Sequence, residues 1–202
     1  MGRNFYIADL HIGHDNLLKN GRLHERPFET MGEMTDTIRD NWNSVVTNAD
    51  TVYLLGDVSY RADPAFVAEY LSSLKGKRVL IRGNHDNFCD RCLIRQFAEI
   101  CDYKEITDNI DGKAYSVVLS HYPIFSWKGQ FRGAIHLYGH VHDNEDEYLY
   151  RDALFHQDEH FAVIDGEHHK PFRAVNVGCM MDYMDYTPRT LKEILKSREM
   201  LK

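Results

Sequence analysis

Short apolar runs that stop at polar residues set the rhythm of the first half of this chain. Asn4–Ala8 is such a run and ends in Asp9-Leu10-His11. Met31, Met34, Ile38, Trp42 and Val45 then recur at the three-and-four spacing of a helix, predicted over Met31–Val46. Trp42 falls on the apolar stripe and reads as core. A second run, Thr51–Leu55, ends in Gly56-Asp57, and Pro64–Leu74 follows as a helix with proline in its first turn, where a missing N–H is harmless. Arg78–Ile81 leads into Gly83-Asn84-His85-Asp86, with a further helix predicted over Arg91–Phe97. The alternation βαβαβα predicts a mainly parallel sheet with helices on its faces.

The second half changes character. Asp111-Gly112, between Tyr103–Asn109 and Lys113–Ser120, marks a hairpin. Ala134–Tyr138 is a strand that runs into Gly139-His140-Val141-His142. Asp143–Lys170 is acidic and shows no clear period; Phe161–Ile164 within it reads as a strand. A stretch of this length that starts beside His142 is placed either to form a rim or lid or to run as a solvated excursion. Arg173–Val177 is the last strand, and Thr187-Pro188 opens a helix to about Lys196 with the threonine as its cap. Parallel units followed by antiparallel strands predict an α/β fold of two packed sheets with helices outside.

Length and composition narrow this further. The 202 residues suit one domain, 1–202, with a sizeable core. No apolar run reaches the length of a membrane-crossing helix, and the chain opens on a strand without a secretory pattern, so a cytoplasmic protein with no membrane partner is expected. A formal charge of −7 speaks against a grip on nucleic-acid backbone, and no basic track is visible along the sequence. Cys89, Cys92, Cys101 and Cys179 do not form a disulfide framework, and the C-x-x-C pair reads as buried or incidental thiols. The unusual count is twelve histidines.

Five of those histidines fall in polar clusters directly behind strands, where open α/β sheets bind ligands. Asp9 and His11 are two residues apart, and His140 and His142 repeat that spacing; in extended backbone such pairs point the same way. Asp57 offers two oxygens and can bridge two cations. Asn84 offers an amide oxygen, and His121 another imidazole. Seven nitrogen and oxygen ligands without thiolate suit a pair of divalent Mn, Fe, Zn or Ni ions, the standard apparatus for displacement at phosphorus. His14 and Asn16 follow the first motif closely and either line the substrate side or tie down the loop. His24 and Arg26 sit in a polar loop and read as solvated surface, as do His168 and His169.

The ordered set Asp9-Leu10-His11, Gly56-Asp57, Gly83-Asn84-His85-Asp86, Ser120-His121 and Gly139-His140-Val141-His142 resembles the calcineurin-like metallophosphoesterases. Arg26-Pro27-Phe28, Asn41-Trp42-Asn43 and Asn176-Val177-Gly178 are similar to a group of small bacterial and phage phosphoesterases of unassigned substrate. The resemblance implies a four-layer αββα sandwich of two mixed sheets. It implies one metal on Asp9, His11 and His142, a second on Asn84, His121 and His140, and Asp57 bridging them with a hydroxide. His85 would then face the leaving group, and Arg61 would bind a phosphate oxygen. The partner implied is a small phosphorylated substrate, with a nucleotide phosphodiester or pyrophosphate as the alternative to a monoester. Tyr60 departs from the protein-phosphatase pattern, where an Asp orients the catalytic His, so Asp86 or another group is expected to take that role. A nuclease or a non-catalytic binding module on the same scaffold is disfavoured, since no basic track is visible and every ligand position is filled.

Overall fold

A computed structural model describes residues 2–23, 25–86 and 89–199. The elements of the first half are β1 (Asn4–Ile7), α1 (Met31–Val45), β2 (Thr51–Leu54), α2 (Pro64–Ser72), β3 (Lys77–Ile81), α3 (Arg91–Ile94) and β4 (Glu99–Cys101). Those of the second are β5 (Tyr103–Ile110), β6 (Lys113–Ser120), β7 (Ile135–Tyr138), α4 (Glu145–Asp165), β8 (Arg173–Asn176), β9 (Arg189–Thr190) and α5 (Leu191–Ser197). One sheet has the order β4-β3-β2-β1-β9, parallel except for β9; the other has the order β5-β6-β7-β8, parallel except for β5. Two mixed sheets flanked by helices are the architecture expected from the sequence.

The strands alternate as a sandwich requires. Val117 and Leu119 of β6 point into the apolar cluster shared with the first sheet, whereas Val118 points outward to a second cluster with Tyr150 and Leu154 of α4. On the other side, Met34, Ile38 and Trp42 bury the inner face of α1, and Val67 and Leu71 that of α2. Thr30 starts α1 by accepting from the Glu33 N–H, and Asp63 starts α2 by accepting from that of Ala65. Across the seam, the Tyr6 hydroxyl donates to Asp108 at 2.7 Å. None of the described helices is long and apolar enough to cross a membrane.

Several boundaries differ from the sequence reading. Asp143–Lys170 is mostly one helix, and Phe161–Ile164 belongs to it rather than to a strand. Asn144 caps it, but its buried stripe of Glu147, Tyr150 and Leu154 is narrow and includes a carboxylate, so the helical period is masked. The last helix starts at Leu191, not at Pro188: Thr190 and Glu193 form a reciprocal capping box, while Thr187 lies before β9. The helix predicted over Arg91–Phe97 stops at Ile94. Strands β4 and β9, three and two residues long, are too short to show alternation. Cys89 and Cys92 are both exposed, so the C-x-x-C thiols are not core groups.

Trp42 is fully buried, and its indole N–H donates to the Lys75 carbonyl at 2.8 Å. Trp42→Ala should therefore cost roughly 3–5 kcal/mol of stability. Urea unfolding read by circular dichroism checks this.

Candidate metal centre

The parallel strands of both sheets deliver their polar ends to one place. Asp9 follows β1, Asp57 follows β2 and Asn84 follows β3, while His121 follows β6 and His140 and His142 follow β7. The two sheets are stitched there by backbone: the Ala8 N–H donates to Val177, and that of Cys179 donates back to Ala8, at 2.8 and 2.9 Å. Two groups result, Asp9/His11/His142 and Asp57/His121/His140, each with its ligand atoms within 4.8 Å of one another. Asn84 joins the second, its amide oxygen 3.1 Å from His121 Nε2. Asp57 stands between them: its Oδ2 is 3.6 Å from His11 Nε2 and 3.6 Å from His121 Nε2. Its other oxygen accepts from the His85 backbone N–H at 2.9 Å, which fixes the plane of the carboxylate.

The backbone reaches this convergence by turning rather than by extension. Asp9, His11, Asp57, His140 and His142 have φ of 58°, 52°, 51°, 73° and 48°, so the extended geometry expected for the two spaced pairs is replaced by left-handed turns. Such conformations each cost on the order of 1–3 kcal/mol and persist where surrounding bonds hold them. Here the Asp9 and His11 N–H groups donate to the Gly56 and Asp57 carbonyls, and His140 N–H donates to the Asp9 carboxylate at 3.1 Å. Gly56 is needed for the same reason, since its φ is 87° and a Cβ there would lie 2.3 Å from His121 Nδ1.

Outer contacts determine which nitrogens are free. His121 Nδ1 lies 2.8 Å from the Leu55 carbonyl and must carry the proton, leaving the Nε2 lone pair aimed at the Asn84 and Asp57 oxygens. His142 Nδ1 lies 2.7 Å from Glu25, and its Nε2 is 3.0 Å from that of His11. At His121 a lone pair meets two oxygens and repels them unless a cation lies among them, so the residues fit bound metal. Burial holds the His11, His121 and His140 imidazoles below their ordinary range, in the neutral form that ligates. Burial also lowers His142, but the Glu25 bond and the Asp9 charge outweigh it and the net direction is upward. Burial pushes the Asp9 carboxyl up to about 7, a position that a neighbouring cation would reverse.

Arg26 and His169 were misplaced by sequence reasoning, and of the two alternatives for orienting His85 the one on Asp86 falls away. Arg26 is buried, not solvated: its guanidinium donates to the Leu10 and Asp9 carbonyls at 2.8 and 2.5 Å, bracing the first motif from beneath. His169 is largely covered and lies 2.7 Å from Asp158, whereas His168 is exposed as expected. Asp86 does not orient His85; its carboxylate accepts from the Asp57, Val58 and Gly83 N–H groups, and burial pushes it up to about 6. His85 instead packs edge-on to Tyr60, with centroids 4.8 Å apart and its ring one-third exposed. His14 stacks on the other part of that tyrosine at 4.1 Å and lies near His11. Arg61 is exposed at φ 52°, its guanidinium over the Tyr60 ring. Asn16 is exposed, and its carbonyl closes the loop by accepting from Leu23. His24 lies outside the described residues.

Glu25 and Asn176 went unnoticed as site residues. Glu25 sits in an unpatterned loop beside Arg26, and only the fold brings it to His142. Asn176 donates to the His142 carbonyl at 2.9 Å and to Glu147 at 3.2 Å, and its amide oxygen accepts from Gly178 at 2.8 Å. The Tyr138 hydroxyl completes this buried network on Glu147. The Asn176-Val177-Gly178 run was the available signal.

Neutral imidazoles and carboxylates converging between two sheets of an αββα sandwich are the makings of a metal-dependent phosphoesterase. The chain belongs to the calcineurin-like phosphoesterases, whose sequence model matches residues 5–197. It is 36% identical over 150 residues to an uncharacterized protein of Methanocaldococcus jannaschii, covering 73% of this chain and 74% of that one. It is 27% identical over 166 residues to the gene 66 protein of Mycobacterium phage L5, covering 70% and 78%. A solved protein of unknown function from Aquifex aeolicus shares the fold with a TM-score of 0.67 at 23% identity, covering 98% of this chain and 100% of that one.

Removing the Glu25 carboxylate frees the His142 ring and its tautomer. Glu25→Ala should weaken divalent cation binding at the Asp9/His11/His142 group by about 10–100-fold and leave the other group near its original affinity. Calorimetric titration with Mn²⁺ distinguishes the two sites.

Proposed function

We propose that this chain is a dinuclear phosphoesterase that hydrolyses a phosphate ester. In this reading one divalent transition-metal ion sits on Asp9, His11 and His142, the other on Asn84, His121 and His140, with Asp57 bridging. The observation that carries it is the Asp57 Oδ2, equidistant at 3.6 Å from a nitrogen of each group. When bound, the cations would polarise the phosphoryl oxygens and lower the pKa of water to near neutrality.

The chain's own residues do the rest. Arg61, exposed beside Tyr60, would take a phosphoryl oxygen and offset charge in the transition state. His85 Nε2 lies 3.9 Å from Asp57 Oδ2 on the open side of the centre, held by its backbone bond to Asp57 and by the Tyr60 ring. That position suits a general acid which protonates the departing oxygen. Tyr60 restrains the imidazole by packing, without the charge that a carboxylate would supply. The substrate expected is a small phosphorylated molecule, a nucleotide among the candidates.

Asp57→Asn should weaken both metals, whereas His11→Ala should affect chiefly one; elemental analysis of fully loaded protein that finds a single ion would overturn the dinuclear reading. A screen of phosphomonoesters, diesters and nucleoside pyrophosphates tests the activity itself.

His85→Ala should slow hydrolysis of an alkyl phosphate ester by about 10²–10⁴-fold, since an alkoxide departs poorly without a proton. The same change should slow the p-nitrophenyl ester much less. Equal losses on the two, with metals retained, would assign His85 to phosphoryl binding instead.

A further inference from the structure

A cavity of the described residues lies away from the metal centre. A trench of about 940 Å³ lies against the second sheet, bounded by β5, β6 and the segments that precede β7 and β8. Helix α4 covers one part of that sheet's outer face, over Val118, Tyr138 and Ala174. The remaining part is bare. Its outward residues there are Thr107, Ala114 and Ser116, which are small and exposed, so this is not an apolar face awaiting a helix.

The rim of the trench is cationic. Lys113, Lys128, Arg132, Lys170 and Arg173 line it, against only Glu105 and Glu199, in a chain whose formal charge is −7. Lys128 pairs with Glu105 at 2.6 Å, and Arg173 donates to the Gly133 carbonyl. Among the described residues Lys113, Arg132 and Lys170 have no carboxylate partner. These residues come from three separate stretches of sequence, which is why no basic track is visible along the chain.

We infer that this trench binds a single strand of nucleic acid, its phosphates on Lys113, Arg132 and Lys170. A cationic groove of small polar residues is the chemistry that tracks a flexible phosphate backbone. A volume of this size takes a few nucleotides of one strand. The site begins at Lys113, seven residues along β6 from Ser120 and the metal-centre end, and does not depend on the phosphoesterase reading.

The test is fluorescence anisotropy of metal-loaded protein with a hydrolysis-resistant phosphorothioate oligothymidylate of roughly a dozen nucleotides. The slope of log affinity against log salt should be about −2, from three phosphate contacts on a single strand. The K113E/R132E/K170E variant should bind at least about tenfold more weakly while retaining its unfolding midpoint and its p-nitrophenyl phosphate hydrolysis. If that variant misfolds, K113E and K170E taken singly should each flatten the slope by about 0.7. Asp57→Asn should bind the strand as the wild type does. Absence of binding, a slope near zero, unchanged binding by the charge reversals, or loss of binding in Asp57→Asn would each overturn the inference. So would competition by poly-glutamate as effective as that by unlabelled strand, which would make the trench a seat for acidic protein segments.

Discussion

Acceptor atoms aimed at one another with no proton between them are the constraint on which the rest of this molecule depends. The His121 ring donates its Nδ1–H to the Leu55 carbonyl, and its other nitrogen faces two oxygens. The His142 ring is held the same way by Glu25. Such an arrangement is unfavourable by itself, and much of the surrounding structure holds it in place. Asp86 gathers three N–H groups behind Asp57, Arg26 gathers two carbonyls behind Asp9, and five candidate ligands accept left-handed backbone. Removing one brace leaves buried polar atoms without partners, a loss of about 1–3 kcal/mol each.

The buried network around Asn176 extends this organisation away from the centre. It joins the carbonyl of a candidate ligand, His142, to a carboxylate in the first turn of α4. Burial pushes the Glu147 carboxyl up, and the hydrogen bonds from Tyr138 and Asn176 act against that. The fourth layer of the sandwich is therefore tied to the site by polar bonds as well as by the packing of Tyr150 and Leu154.

How much of this was legible in the sequence follows from the range of each signal. Asp9, Asp57, Asn84, His121, His140 and His142 each stand directly behind a strand, so short apolar runs and a few motif residues sufficed to find them. The left-handed turns were not foreseen, because a D-x-H spacing looks the same in extended and turned backbone. Arg26 and His169 were read as surface because a lone charge in a loop usually is; only tertiary contacts reveal Leu10 and Asp158 as their partners. Helix α4 carries Val163 at 86% exposure and Ile164 at 62%, apolar residues on the wet side that erase its period. The cations of the trench come from three segments, and net charge averages them away.

The seam of the sandwich runs through the metal centre. Asp9, Asp57 and Asn84 belong to one sheet, and His121, His140 and His142 to the other, so each candidate group straddles the divide. The centre is thus a clasp as well as a reactive site. Hydrogen exchange at the Ala8–Val177 and Ala8–Cys179 amides reports whether the clasp is fastened, with no substrate needed.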